Sequence, residues 1–285
     1  MQTTLTLSEV KDILQTRRMR PLRQLGQNFL IDANLCRAIV DALPAPTAAA
    51  VLEIGPGLGA LTRLMLDRGW NVTALELDKG ISQYLAETFA GLSHFKLVTG
   101  DALKTLSLQP FHEWIIGNLP YNVSTQLMVE ILKFSTLPQA CVFTVQKEMA
   151  ERIAAEPKTK SYGAVSVFVQ TFYEIEMVRK LKGQVFYPEP EVDSIIIRWI
   201  LRKDIPTFDR EHYYAFLRKG FSQRRKMLRS IYPQAPQNVR AEELSVGDWK
   251  KFYRTDARIP RGSTAGMNCA KTFFKFSQNE LPLRE

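Results

Sequence analysis

The sequence predicts an α/β fold: a doubly wound, mainly parallel sheet with a small all-helical module after it. Three observations predict it. Short apolar runs alternate with helical periodicity over residues 50–171, the pattern of strands joined by crossover helices. Two β-rich runs, 173–181 and 192–201, then follow with no helix between them. From about residue 203 the periodicity is helical only.

The elements read in order as follows. Residues 8–19 and 33–43 carry helical periodicity, with Asp32 as N-cap of the second. Residues 50–54 (AVLEI) form a buried strand, followed by a glycine-rich turn and a helix over 58–68. Strands are expected at 71–76, 95–99, 113–117 and 140–146. Helices separate them, from Asp78 to Phe89 and from Ser124 to Phe134. Two further helices are expected at 147–155 and 163–171. The runs 173–181 and 192–201, around a proline-rich loop at 187–190, read as an antiparallel addition at one edge of the sheet. The terminal module reads as helices at 209–220, 222–231 and 241–253; beyond Tyr253 the periodicity fades. Residues 1–202 and 203–285 are therefore expected to be two domains.

The chain has 285 residues, 45% hydrophobic and 24% charged, enough for one large domain and a small one. Its net charge of +9 is unevenly spread. Residues 203–285 carry 17 Lys and Arg against 9 Asp and Glu, a net of +8, and residues 1–202 a net of +1. That asymmetry suggests a phosphate-facing module on a near-neutral one. Cys36, Cys141 and Cys269 are odd in number and far apart, and His94, His112 and His212 do not fall at ligand spacing, so no disulfide framework and no metal site is expected. No apolar run reaches membrane-spanning length, and the N-terminus has no apolar leader core. A cytoplasmic protein is expected.

Glu53-Ile54-Gly55-Pro56-Gly57-Leu58-Gly59 follows a buried strand and opens a helix. Glycines there let the backbone approach a ligand that a Cβ would exclude. Gly55, Gly57 and Ala60 also fit a dinucleotide fingerprint, so the turn alone does not separate a nicotinamide cofactor from S-adenosylmethionine. Glu76, at the end of the second strand, is placed to accept both hydroxyls of a ribose. Asp101 ends the third strand, where it can accept from an adenine amino group, and Asn118 ends the fourth. Polar residues at successive strand ends line one crevice of an open α/β sheet.

Asn118-Leu119-Pro120-Tyr121 suits a reaction at an adenine amine. The exocyclic nitrogen is a poor nucleophile because its lone pair is delocalised into the ring. The Asn118 side-chain carbonyl and the Leu119 backbone carbonyl are expected to accept its two N–H bonds and aim the lone pair. Pro120 holds Leu119 extended, Tyr121 offers a stacking face, and Phe186, in a proline-rich loop, is the candidate for a second wall. No strong general base is needed, because the cationic product amine sheds its proton readily.

These motifs resemble the bacterial small-subunit (16S) ribosomal RNA adenine N6,N6-dimethyltransferases, the KsgA/RsmA family. The resemblance rests on Leu25 to Leu30, Glu53 to Gly59, Glu76-Leu77-Asp78, Gly100-Asp101-Ala102, Gly117 to Thr125, Gln146-Lys147-Glu148, Tyr162-Gly163, Phe186 to Ser194 and Phe221 to Lys226, in order and at the family's spacing. It implies a Rossmann-like class I S-adenosylmethionine methyltransferase domain with a small C-terminal helical domain. It implies cofactor contacts from Gln27, Asn28, Leu30, Gly55, Glu76, Asp101 and Asn118. Target-base contacts are implied for Asn118, Leu119, Tyr121 and Phe186. The implied substrate is two adjacent adenosines in a hairpin loop near the 3′ end of small-subunit rRNA, each receiving two methyl groups. The sister enzymes that methylate large-subunit rRNA share the fold. Leu119, Tyr162-Gly163 and Gln223 to Lys226 favour the small-subunit reading, and the intact site argues against an assembly factor that has lost catalysis. Phosphate contacts are expected from Arg218, Lys219, Arg224, Arg225, Lys226 and Arg229 on the 209–220 and 222–231 helices. A second set is expected from Arg17, Arg18, Arg20 and Arg23. The expected partner is small-subunit rRNA within a precursor particle, bound by a monomer. The stretch 254–285 departs from the family pattern and is given no role.

Overall fold

The computed structural model describes residues 4–255. It opens with α1 (Leu7–Thr16), whose start is fixed reciprocally. The Thr6 hydroxyl accepts the Glu9 amide, and the Glu9 carboxylate accepts the Thr6 amide at 2.7 Å. The helix stops at Thr16, short of the residue 19 read from the sequence, because Arg18 takes φ +51°, which no α-helix continues. After β1 (Phe29–Leu30) comes α2 (Ala33–Asp41), capped as expected by Asp32, which accepts the Leu35 amide at 2.8 Å.

The alternating part runs β2 (Ala50–Ile54), α3 (Ala60–Asp67), β3 (Asn71–Glu76), α4 (Lys79–Thr88), β4 (Phe95–Thr99), α5 (Ala102–Thr105), β5 (Trp114–Asn118), α6 (Ser124–Leu132), β6 (Ala140–Gln146), α7 (Lys147–Ile153) and α8 (Ala164–Phe172). It closes with β7 (Tyr173–Leu181), β8 (Phe186–Tyr187) and β9 (Ser194–Leu201). The main sheet has the order β4-β3-β2-β5-β6-β9-β7. β2 to β6 are parallel, and β9 pairs antiparallel with both β6 and β7, as the missing crossover helix predicts. The chain runs outward from β2 through β3 and β4, then returns to the other side of β2 as β5. The carboxyl ends of β2 and β5 therefore diverge into a crevice at the switch point.

β2, β5 and β6 are buried on both faces, which explains their nearly unbroken apolar sequence. β7 is an edge. Its exposed Glu174, Glu176, Arg179 and Lys180, with a bulge between Met177 and Arg179, guard it against pairing with another chain. β1 and β8 pair with each other outside the main sheet, and two residues apiece are too few to show a period.

The helical part holds α9 (Arg210–Phe221) and α10 (Val246–Thr255). It shares one apolar cluster with the sheet's helices: Tyr213 stands against Phe168 and Phe172, and the Tyr162 hydroxyl donates to the Leu244 carbonyl at 3.0 Å. Two readings of this part are corrected. Residues 222–231 are not a helix. α9 ends at Phe221, turns occupy 222–226, and Met227 is extended and bridges Arg240, with only a single 3-10 turn at Leu228–Ser230. Burying Leu228 and bonding its amide to the Val239 carbonyl at 2.8 Å hold the chain there. The 241–253 helix is a 3-10 turn at Ala241–Glu243 followed by α10, which continues to Thr255. Cys269 and nearly all of the 254–285 stretch lie outside the described residues.

Candidate active site

The turn after β2 places Gly55, Gly57 and Gly59 at φ +70°, +54° and +82°, all in the left-handed region. A Cβ on Gly57 would stand 3.1 Å from the Phe29 ring. The backbone is thus held open to a cavity that reaches Leu30 on one side and Glu76 and Asp101 on the other.

Glu76 ends β3 and is buried. Its Oε1 accepts the Asp78 amide at 2.9 Å and its Oε2 the Gly57 amide at 3.3 Å. Desolvation outweighs these bonds and pushes its carboxyl up to about 7. Asp101 caps α5 through one oxygen, which accepts the Leu103 amide at 3.0 Å; its other oxygen has no partner among the described residues. Glu53, not singled out from the sequence, lines the same cavity. It is fully buried, accepts among the described residues only the Thr62 hydroxyl at 2.6 Å, and burial pushes it up to about 8. Its position on β2 just before the glycine turn was the available signal.

A strap over residues 21–31 covers the cavity. Gln27 closes the strap on itself by accepting the Leu22 amide at 2.8 Å, and ties it down by donating to Asp78 at 3.0 Å. Asn118 Nδ2 donates to the Asn28 carbonyl at 2.8 Å, and Asn122 Nδ2 donates to the Gln24 carbonyl at 2.9 Å. The strap divides two cavities, since Gly26, Gln27, Asn28 and Asn122 line both.

Asn118 lines the first of them, and Tyr121, three residues on, lines the second. Gly117 before Asn118 is dictated by packing: a Cβ there would lie 2.6 Å from the Ile54 carbonyl, so only glycine lets β5 lie this close to β2. Asn118 Oδ1 is buried and has no hydrogen-bond partner among the described residues. The Leu119 amide is spent on the Thr144 carbonyl at 3.1 Å, while its own carbonyl accepts no bond among those residues. The Leu119 side chain is a core residue, so only its backbone is offered. Tyr121 lines the second cavity, with its hydroxyl on Ser194 at 2.7 Å. Phe186 does not line either cavity. It is buried in the core beneath the strap, paired through β8 to Leu30, and Pro188 and Pro190 line the second cavity with Tyr121 instead.

Among the basic residues, Arg17 pairs with Glu87 and lies over the Tyr84 ring. Arg224 pairs with Glu242 at 2.9 Å and donates to the Lys160 carbonyl at 2.8 Å. Lys219 covers the Tyr232 ring. Arg18, Arg20, Arg218, Arg225, Lys226 and Arg229 are exposed. The Arg23 side chain lies outside the described residues.

A sheet of this order, with a glycine turn after its first central strand, an acid ending the next strand (Glu76) and another just past the one after it (Asp101), defines the class I S-adenosylmethionine-dependent methyltransferases. The chain belongs to the ribosomal RNA adenine dimethylase family, whose sequence pattern matches residues 19–246. It is 34% identical over 248 residues to the ribosomal RNA small subunit methyltransferase A of Sulfurihydrogenibium sp. (strain YO3AOP1), covering 83% of this chain and 96% of the relative. Its identity to the protein of that name from Geobacillus thermodenitrificans (strain NG80-2) is 36% over 233 residues, 78% of this chain and 80% of the relative. In fold it is similar to a dimethyladenosine transferase from Plasmodium falciparum, with a TM-score of 0.70 at 24% identity over 78% of this chain and 95% of the other. The 23S rRNA methyltransferase ErmE gives 0.63 at 24% identity over 80% and 98%. The methyl donor is S-adenosylmethionine, and the residues fit it. The glycine turn leaves a backbone cradle, and Glu76 and Asp101 bring acceptor oxygens to a cavity lined otherwise mainly by apolar groups.

Proposed function

We propose that this enzyme dimethylates N6 of two adjacent adenosines in a hairpin loop near the 3′ end of small-subunit rRNA. The observation that carries the reading is the Asn118 side-chain oxygen. It is buried at the first cavity with no hydrogen-bond partner among the described residues, beside the open Leu119 carbonyl and three residues before Tyr121, which lines the second cavity. A buried acceptor left unpaired costs free energy unless a ligand fills it. Two acceptors side by side match an amine with two N–H bonds.

S-adenosylmethionine supplies an electrophilic methyl group when bound. Gln27, Asn28, Leu30, Gly55, Glu76, Asp101 and Asn118 would hold it, with Glu76 on the ribose hydroxyls and Asp101 on the adenine amine. Tyr121 stacks on the target base in the second cavity, its hydroxyl steadied by Ser194. Asn118 and Leu119 accept the N6 hydrogens and turn the lone pair toward the first cavity. Pro120 fixes the direction of the Leu119 carbonyl. Phe186 acts from behind, packing under β1 and so supporting Leu30. After the first transfer one N–H remains, and one of the two carbonyls suffices to hold it for the second.

The exposed basic residues Arg18, Arg20, Arg218, Arg225, Lys226 and Arg229 face rRNA phosphates. They fix position without reading sequence, so the substrate is a folded rRNA in an assembling small-subunit particle, met by a monomer in the cytoplasm. Incubation with small-subunit rRNA lacking these methyl groups, followed by nucleoside mass spectrometry, tests the reading. N6,N6-dimethyladenosine should appear with wild type and vanish with Asn118→Ala, with cofactor binding weakened far less than turnover. Failure of the wild type to form it, with cofactor bound, contradicts the reading.

A further inference from the structure

Gln146 ends β6, and its side chain has no structural employment. It stands at the N-cap of α7, yet its side chain makes no capping bond and has no hydrogen-bond partner among the described residues, its backbone alone being used in the sheet. Gln146 nonetheless lines the second cavity, in company with Tyr121 and Asn28.

The sheet register says which way it faces. Asn118 pairs with Thr144 in parallel register, so their side chains share a face. Gln146 lies two residues further along the same strand and shares that face too. Across the antiparallel pair Gln146 matches Ser194, whose hydroxyl holds Tyr121. Asn118, Gln146 and the Ser194–Tyr121 pair thus stand on one face at the carboxyl end of the sheet. Gln146 is about 6.6 Å further out along β6 than Thr144. A purine whose amine meets Asn118 and whose ring meets Tyr121 therefore extends toward Gln146.

We infer that Gln146 is a specificity-determining residue for the target base: its amide N–H donates to a ring nitrogen of adenine, N1 or N7. The inference rests on the base-site reading above. The chemistry is complementary. Asn118 and Leu119 offer acceptors alone, which an amine satisfies on any base that carries one, cytosine included. A donor beside them demands a ring acceptor next to the amine: a bond to N1 would also admit cytosine, whose N3 is placed alike, whereas a bond to N7 selects the purine. Gln146 also lies on a strand, a rigid support, and its side chain is not spent elsewhere.

The test is a substrate cycle with a hairpin RNA carrying adenosine, 7-deazaadenosine or 1-deazaadenosine at the target position, in single-turnover methylation. Wild type should be slowed roughly tenfold by whichever analogue lacks the accepting nitrogen. Gln146→Ala should be slowed about as much on adenosine and suffer no further loss on that analogue. Gln146→Glu, which keeps the shape and removes the donors, should behave like Gln146→Ala. S-adenosylmethionine affinity by calorimetry should be unchanged in both. Losses that add up, or an equal loss on all three substrates, overturn the assignment. The Tyr121→Ala control separates the two levels: if it leaves turnover unchanged, the base-site reading fails and the Gln146 inference falls with it.

Discussion

Asn118 and Asn28 are joined by one hydrogen bond, from the Asn118 amide nitrogen to the Asn28 carbonyl at 2.8 Å, and this bond decides which way the Asn118 oxygen points. A carbonyl accepts only from the NH2 end of the amide, so the oxygen is held on the opposite side. The strap that covers the first cavity and the side chain proposed to aim the target amine are therefore one mechanical unit.

Asn118→Ala removes the acceptor and frees the Asn28 carbonyl. Single-turnover methylation should fall by about 100-fold or more, the cost of losing alignment at the reacting atom. Asn118→Asp keeps an oxygen toward the target but sets another against the Asn28 carbonyl, so it should not rescue the rate. Rapid-quench assays alongside cofactor calorimetry check both. Near-normal turnover in either variant contradicts the unit.

Gly117→Ala tests the packing beneath it. The new methyl would meet the Ile54 carbonyl at 2.6 Å and the Leu119 side chain at 3.0 Å, so β5 must shift from β2. Overpacking of this kind costs about 1–3 kcal/mol. Thermal unfolding should show the loss, and turnover should fall further than stability alone explains, because Asn118 is the next residue. An unchanged melting temperature contradicts the close approach.

What the sequence made legible was what neighbours in the chain determine. The glycine turn, the strand ends at Glu76, Asp101 and Asn118, and the antiparallel edge follow from local spacing and from a missing crossover helix. The 222–231 helix failed because Leu228 is drawn to a distant partner at Val239, and periodicity carries no sign of that. Glu53 and Gln146 stand in motif stretches of the sequence yet drew no role at the site, for a related reason. An acid on a central strand reads as an exception to burial, and a glutamine at a strand end reads as surface, until the register sets each beside a cavity.

Glu53 and Glu76 make the apo protein's stability depend on pH. Burial raises them to about 8 and about 7 from the ordinary 4.5, so between 4.5 and those values the folded chain holds protons that the unfolded chain has lost. Unfolding then releases protons, and stability falls as pH rises through this window, by at most about 1.4 kcal/mol per pH unit for each group. Glu53→Gln, still able to accept from Thr62, should flatten the fall. A Glu76 carboxylate that accepts ribose hydroxyls must be ionised, so cofactor binding near pH 7 should release protons. Denaturant titrations across pH 5–9, and calorimetry in buffers of different ionisation heat, read the two effects. A stability profile that rises with pH in this range contradicts them.

The basic surface divides into residues already engaged and residues open to a partner. Arg224 pairs with Glu242 and donates to the Lys160 carbonyl, clamping the turn after α9 to the loop before α8. Arg17 is likewise engaged by Glu87 and the Tyr84 ring. Arg225, Lys226 and Arg229 are exposed and have no ion-pair partner among the described residues. Neutralising Arg225, Lys226 and Arg229 together should weaken rRNA binding. It should also flatten the salt dependence by roughly 0.7–0.9 log units of slope for each phosphate that is no longer neutralised, with the melting temperature unchanged. Arg224→Ala should do the reverse, lowering the melting temperature and leaving most of the salt slope, because its charge is spent inside the protein. S-adenosylmethionine affinity should be untouched in both, since neither set lines the first cavity. Filter-binding titrations at several salt concentrations, run beside thermal melts, separate the cases. A triple variant with an unchanged salt slope would mean that rRNA phosphates are met elsewhere, and Arg18, Arg20 and Arg218 would then be the residues to neutralise.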